Sequence, residues 1–197
     1  MIPLIVDPAR VPIALVGRGG AAERRLGLLR EAGAEDIEVF SDAPSAGLAA
    51  SAGLRLRRRL PGRDELAQIA LLWIVDLPIA EAAPLARTAR ATGCLVNVED
   101  VTAFCDFHNP AQLRRGDLLL TVSTGGKSPG LAARIRRELA RSFGPEWAGR
   151  LDRIAARRAA WRRPGRTLHE RARLTDSAID ETGWFQEDRA RERARAS

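Results

Sequence analysis

Cysteine and histidine are scarce in this sequence, with two of each in 197 residues. Cys94 and Cys105 make no disulfide framework and carry no zinc-ligand spacing, so no metal-binding residue is assigned. Two histidines and scattered carboxylates form no Ser/His/Asp set, which leaves nucleophilic catalysis without support. No apolar run approaches the ~18 residues of a membrane-spanning helix. The N-terminus lacks the charged segment and long apolar run of a secretory signal, so a cytoplasmic chain with no membrane partner is expected. Lysine is almost missing too. Lys127 is the single one among 32 basic residues, which face 25 acidic ones for a net charge of +7. A basic balance suits a polyanion. The arginines, however, are interspersed with Glu and Ala in helical stretches and read as solvated helix faces. No nucleic-acid motif and no aromatic-basic interleaving accompany them, so no nucleic-acid partner is expected.

Hydrophobic residues make up 45%, enough for a sizeable core. The chain is organised around Ile13-Ala-Leu-Val-Gly-Arg-Gly-Gly-Ala-Ala22 and the helical pattern of Leu26, Leu28 and Leu29. Strand, glycine turn and helix in this order are the context of a dinucleotide-binding turn. Gly17 permits the tight turn, Gly19 lets a pyrophosphate approach the backbone, and Ala22 lets helix and strand pack closely. The helix start, with Gly20 and Ala21, offers free N–H groups to phosphate. An ordinary strand-to-helix turn is the plainer reading of the glycines alone. Ile37–Phe40 reads as a second strand. Asp42, just beyond it, is placed either to hydrogen-bond an adenosine ribose hydroxyl, with Ala43 beside it, or to cap the next helix. In the first role it favours NAD by repelling the 2′-phosphate of NADP.

Further on, residues 54–60 read as a basic strand, 70–75 as a central strand, 81–91 as a helix and 95–98 as another apolar strand. Alternating strands and helices argue for a parallel sheet covered on both faces, with ligands beyond the carboxyl ends of its strands. That edge carries Asp42, Asp76 and Asn97-Val-Glu-Asp100. Asp100 there can act as a general base, hold a metal or merely cap a helix or loop. Residues 101–116 show no clear period. A strand at 117–122 leads into Ser123-Thr-Gly-Gly-Lys-Ser-Pro129, whose adjacent glycines lack the spacing of a triphosphate loop. The loop can hold an anion such as a carboxylate, and Ser128 with Pro129 reads as the start of an Arg-rich helix over 130–143. Helical spacing resumes from Trp147, Pro164-Gly165 interrupts it, and Gln186 to Ser197 reads as a frayed tail.

Several of these stretches together resemble a known family. They are Val16-Gly-Arg-Gly-Gly-Ala-Ala-Glu-Arg-Arg25, Leu28 to Gly33, Asn97 to Asp100, Phe104-Cys-Asp-Phe107, Pro110, Arg115-Gly-Asp117 and Val122 to Pro129. In this order they resemble the precorrin-2 dehydrogenase / sirohydrochlorin ferrochelatase family, the N-terminal module of siroheme synthase or its stand-alone form. With no methyltransferase module following, the stand-alone form is expected. The resemblance implies an α/β fold: a Rossmann-type parallel sheet over 1–110, a small α+β dimerisation region over 111–146 and a C-terminal helical domain over 147–197. It implies a homodimer that oxidises precorrin-2 with NAD and, in some members, inserts ferrous iron. Asp100 matches the family's catalytic aspartate. Cofactor contact falls to Gly17, Gly19, Gly20, Ala21, Asp42 and Ala43, and substrate contact to Asn97, Ser123, Thr124 and Gly125. Thr124 matches a serine that some members phosphorylate. Val75-Asp-Leu-Pro78 departs from the small polar segment that relatives often carry. It favours a second reading, a non-catalytic tetrapyrrole- or nucleotide-binding protein on the same scaffold.

Overall fold

Four apolar residues in a row, without polar alternation, suit a strand covered on both faces. Ile13–Val16 is such a strand, β1, and none of its residues is more than 3% exposed. The computed structural model describes residues 1–161 and 167–185. They fall into two units that divide between His108 and Asn109.

In the first unit β1 is the middle of a five-stranded parallel sheet. β2 (Ile37–Phe40) and then β3 (Leu56–Arg57) lie to one side, β4 (Leu71–Ile74) and β5 (Leu95–Val98) to the other. The chain thus leaves β1 toward β2 and returns to its other side at β4, and such a reversal opens a ligand crevice beyond the carboxyl ends of the strands. The connecting helices are α1 (Gly20–Glu31), α2 (Ala46–Ala52), α3 (Arg63–Leu66) and α4 (Ile79–Ala91). Strand alternation divides the core. Ile13 and Leu15 pack with Ala22, Leu26, Leu29 and Leu48 of α1 and α2. Ala14 and Val16 pack with Leu66, Ala82, Ala86 and Ala89 of α3 and α4. Each buried Leu, Ile or Val contributes about 1.5–3 kcal/mol, which is what holds the glycine turn in place between layers.

The strand expected over 54–60 shrinks to Leu56 and Arg57. Leu54 is fully exposed, and the consecutive charges of Arg57, Arg58 and Arg59 suit only the sheet's edge.

The second unit opens with a hairpin, β6 (Ala111–Arg115) against β7 (Leu118–Val122). β6 lies in the stretch that showed no period, because Gln112, Arg114 and Arg115 hide the alternation around the buried Leu113. Gly116 makes the turn at φ +55, and a Cβ there would come 3.1 Å from that of Ala148. The helices are α5 (Pro129–Ser142), α6 (Trp147–Trp161) and α7 (Leu168–Asp180). Trp147 packs against Phe143, Trp184 and Phe185. Arg150, 4% exposed, sets its guanidinium 4.9 Å from the Trp147 ring centre and 5.3 Å from that of Trp184. Stacking between two indoles makes a buried arginine tolerable. Among the described residues no helix is long and apolar enough to cross a membrane. The Pro164-Gly165 interruption and the frayed tail from Gln186 lie outside the described residues.

Candidate cofactor and proton-transfer site

The glycine turn runs from β1 into α1, and its glycines serve different purposes. A Cβ on Gly17 would lie 2.5 Å from Ala22 Cβ and 2.7 Å from the Val75 carbonyl oxygen. Gly17 is therefore set by close helix–strand packing, and its N–H donates to Phe40 O at 3.1 Å. Gly19 is the N-cap of α1, and a Cβ there would sit 3.1 Å from Asp76 Oδ2. Around Gly20 only the end of Arg24 comes near, at 3.5 Å. The first helical N–H bond to a turn carbonyl is Glu23 to Gly19, 3.2 Å. The N–H groups of Gly20 and Ala21 thus precede any acceptor within the helix, as the first turn requires. These two donors, with the positive end of the α1 dipole, fit a pyrophosphate.

The Ala22 N–H is already used. It donates to Asp76 Oδ2 at 3.0 Å, so a carboxylate from the end of β4 caps the first turn of α1. Asp76 holds a left-handed backbone, φ +59.

Asp42 lies beyond β2, as the sequence places it, but both its oxygens are occupied. Arg18, the variable residue of the glycine turn, donates from Nε to Oδ1 and from Nη2 to Oδ2, each at 2.7 Å. The same guanidinium reaches Glu81 at the start of α4, with Nη1–Oε1 3.1 Å and Nη2–Oε2 2.5 Å. Hydrogen bonding to Arg18 holds the Asp42 carboxyl below its ordinary range, and the two carboxylates raise Arg18. The Ser45 N–H donates to Arg18 O at 2.7 Å and fixes the backbone of this loop. Ala43 is exposed beside it.

At the end of β5 the chain turns sharply. The Val101 N–H donates to Val98 O at 3.1 Å, with Glu99 and Asp100 between them. Asp100 takes the left-handed position of that turn, φ +63, and its side chain is exposed. Glu99 is held from α1, Arg25 Nη2 to Glu99 Oε1 at 2.8 Å. Arg25 Nε and Glu99 Oε2 are buried and lack hydrogen-bond partners. The sequence reading missed Arg18, Arg25 and Glu81 as parts of this edge; Arg18 alone carried a signal, as a charge inside the glycine turn.

Asn97, read as a substrate contact, is buried in β5. It is 4% exposed, and its Nδ2 donates to Phe107 O at 2.8 Å and contacts Cys105 Sγ at 3.5 Å. Its position in β5 turns it inward, where it ties the following loop to the strand. Asp106 does similar work from that loop: Oδ2 accepts the Val96 N–H at 2.9 Å, and the carboxylate pairs with Arg90. Burial raises both thiols, Cys94 to about 11.

In the second unit, Ser123, Thr124 and Gly125 form a self-bonded loop. Thr124 Oγ1 donates to Ser128 O at 3.0 Å and accepts the Ser128 N–H at 3.1 Å. Ser123 Oγ accepts from Gly125 N–H at 3.3 Å, and Gly125 and Gly126 both take positive φ. Ser128 caps α5 by accepting the Leu131 N–H, with Pro129 at the first helical position. That is the turn the sequence describes, and it leaves Ser123 and Gly125 exposed.

The family described as putative NAD(P)-binding matches residues 4–111, and the one described as sirohaem biosynthesis protein central matches residues 115–142. The siroheme synthase of Methylococcus capsulatus is 35% identical over 157 residues, 79% of this chain and 33% of its own length. That of Sodalis glossinidius is 34% identical over 167 residues, 82% of this chain and 34% of its own. The chain thus spans about a third of the length of the curated relatives it matches. Among solved structures, SirC, a precorrin-2 dehydrogenase, superposes with a TM-score of 0.71 at 22% identity, covering 96% of this chain and 100% of that one. This last likeness is one of fold.

Proposed function

The chain belongs to the precorrin-2 dehydrogenase / sirohydrochlorin ferrochelatase family, and from that premise we propose that it oxidises precorrin-2 to sirohydrochlorin with NAD in siroheme biosynthesis. One observation carries the reading: the Gly20 and Ala21 N–H groups of the first helical turn and an exposed, left-handed Asp100 share the carboxyl edge of one sheet. NAD, when bound, accepts the hydride that the tetrapyrrole gives up. The protein's own residues do the rest. Gly20 and Ala21 hold the pyrophosphate by backbone N–H groups. Gly17 lets α1 pack closely on its strand, and Gly19 leaves the backbone bare for the pyrophosphate to approach. Asp100 takes the proton that departs as the hydride leaves, and passes it to water.

Insertion of ferrous iron, the family's second reaction, is part of the proposal as iron in the role of substrate. It needs pyrrole N–H protons removed, and a carboxylate beside the macrocycle can accept them in turn. Ser123, Thr124 and Gly125 are assigned to contact with the carboxylate-rich substrate. We assign 111–146 to homodimer formation and 147–197 to a C-terminal helical domain. Leu131 and Ile135 of α5 support the dimer, since the single chain leaves them 52% and 38% exposed. Free thiols at Cys94 and Cys105 suit a cytoplasmic location.

The second reading, a non-catalytic binding protein, draws on Asp76. Its carboxylate rests on the α1 turn that a pyrophosphate would use. Anaerobic incubation with precorrin-2 and NAD decides between the two. Stoichiometric appearance of NADH absorbance is expected for the dehydrogenase, and tetrapyrrole binding without NADH would leave only the second.

A further inference from the structure

An aspartate at the end of the second strand discriminates against NADP by its charge and its bond to the ribose hydroxyl, and a guanidinium paired with it weakens that discrimination. Asp42 is not free. Arg18 covers both of its oxygens in a bidentate pair at 2.7 Å. We propose that Arg18 is the cofactor-selecting residue of this protein and that it lets the site accept NADP alongside NAD. The proposal rests on the dinucleotide reading given above.

Arg18 sits where that choice is made. It is the residue between Gly17 and Gly19, so its backbone lies along the path of the dinucleotide. Its side chain crosses to the end of β2, where the adenosine ribose is read. The guanidinium then reaches Glu81 with both terminal nitrogens. A guanidinium presents a planar fork that fits carboxylate and phosphate equally, so a 2′-phosphate can compete with Glu81 for the same nitrogens. The two cofactors thus meet different demands. The ribose hydroxyl of NAD has to compete with Arg18 for Asp42. The 2′-phosphate of NADP brings its own acceptors to Arg18 and meets an Asp42 that is already paired with that guanidinium.

A second positive group stands close by. Ser41, just before Asp42, donates its N–H to Arg57 O at 2.9 Å, which brings the turn after β3 alongside the end of β2. Of the three arginines there, Arg57 pairs with Glu38 and Arg59 with Glu65. Arg58 is exposed and forms no ion pair among the described residues.

Calorimetric titration of the full chain with NAD and NADP in separate runs tests this. Wild type is expected to bind NADP within about tenfold of NAD, and Arg18→Ala is expected to raise the NADP-to-NAD ratio of dissociation constants about 10- to 100-fold, the loss of a charge-assisted contact. Asp42→Asn works from the other side and lowers the ratio; it serves if Arg18→Ala does not fold. Wild type rejecting NADP by more than about tenfold, or a ratio that neither variant moves, would overturn the proposal and leave the NAD assignment standing. Binding of neither dinucleotide would remove both.

Discussion

Asp76 and Asp100 occupy the same place on neighbouring strands. Each lies two residues beyond the paired residues Ile74 and Val98, and each holds a left-handed backbone, φ +59 and +63. No other described residue but glycine does so. Such a backbone costs a non-glycine residue about 1–2 kcal/mol, so two aspartates at one sheet edge are held there by the surrounding structure. Their uses differ. Asp76 caps α1 through Ala22, whereas Asp100 extends to solvent and makes no hydrogen bond among the described residues.

For Asp100 the strain and the chemistry can be separated. Asp100→Asn keeps size and tolerates the left-handed turn, and turnover is expected to fall about 10²–10⁴-fold if proton removal is lost. Asp100→Gly is expected to lower turnover by a similar factor while raising stability by up to about 1 kcal/mol. Anaerobic NADH formation at saturating NAD, paired with thermal melts, checks both. A near-normal rate in folded Asp100→Asn would strip this carboxylate of its role.

Asp76→Asn keeps an oxygen for the Ala22 N–H but removes a negative charge from the first turn of α1. Dinucleotide affinity is expected to rise about 2- to 5-fold, the worth of one charge at a helix end. The same change costs the free protein a comparable fraction of a kcal/mol, visible as a small drop in Tm. Weaker binding in this variant would place Asp76 among the cofactor's ligands instead.

Arg25 and Glu99 form a half-buried pair with one unsatisfied atom on each side, immediately before Asp100. Arg25→Met leaves Glu99 without its partner, and a loss of about 1–3 kcal/mol is expected, less than for a fully buried pair because Glu99 keeps some solvent. Adding Glu99→Gln is expected to recover most of it. Denaturant unfolding of the two single variants and the double one measures the coupling. Strictly additive losses would show that the pair contributes nothing as a pair.

Glu65 sets an acid limit on the first unit. Hydrogen bonds from Arg59 and then the Gly62 N–H hold its carboxyl at about 2, below the ordinary 4.5. Because the folded value is the lower one, this stabilisation is complete above the ordinary value and is lost as pH falls from about 4.5 toward 2. Glu65→Gln is expected to flatten the fall of Tm across that window. An unchanged slope would show that the Arg59 pair is not maintained in solution.

The sequence by itself determined the features whose cause is local. β1 and β5 follow from short apolar runs, α1 from the glycine turn ahead of a helical pattern, and the start of α5 from Ser128 and Pro129. Each depends on neighbours within one turn or one strand. β6 escaped because a half-exposed hairpin strand with three polar residues has no period of its own; Leu118–Val122 supplies its pairing. Asn97 shows the same limit, since inward and outward positions of β5 differ only once the loop reaching Phe107 is folded against it. The arrangement around Arg18 lay furthest from view. Its partners Asp42 and Glu81 are 24 and 63 residues away, and no local rule relates them. Only the order of the parallel strands, with β2 and β4 on either side of β1, brings the three charges together. The tertiary structure therefore decided which aspartates are free and which are paired, because Coulomb and hydrogen-bond energies depend on distances of a few ångströms and not on separation along the chain.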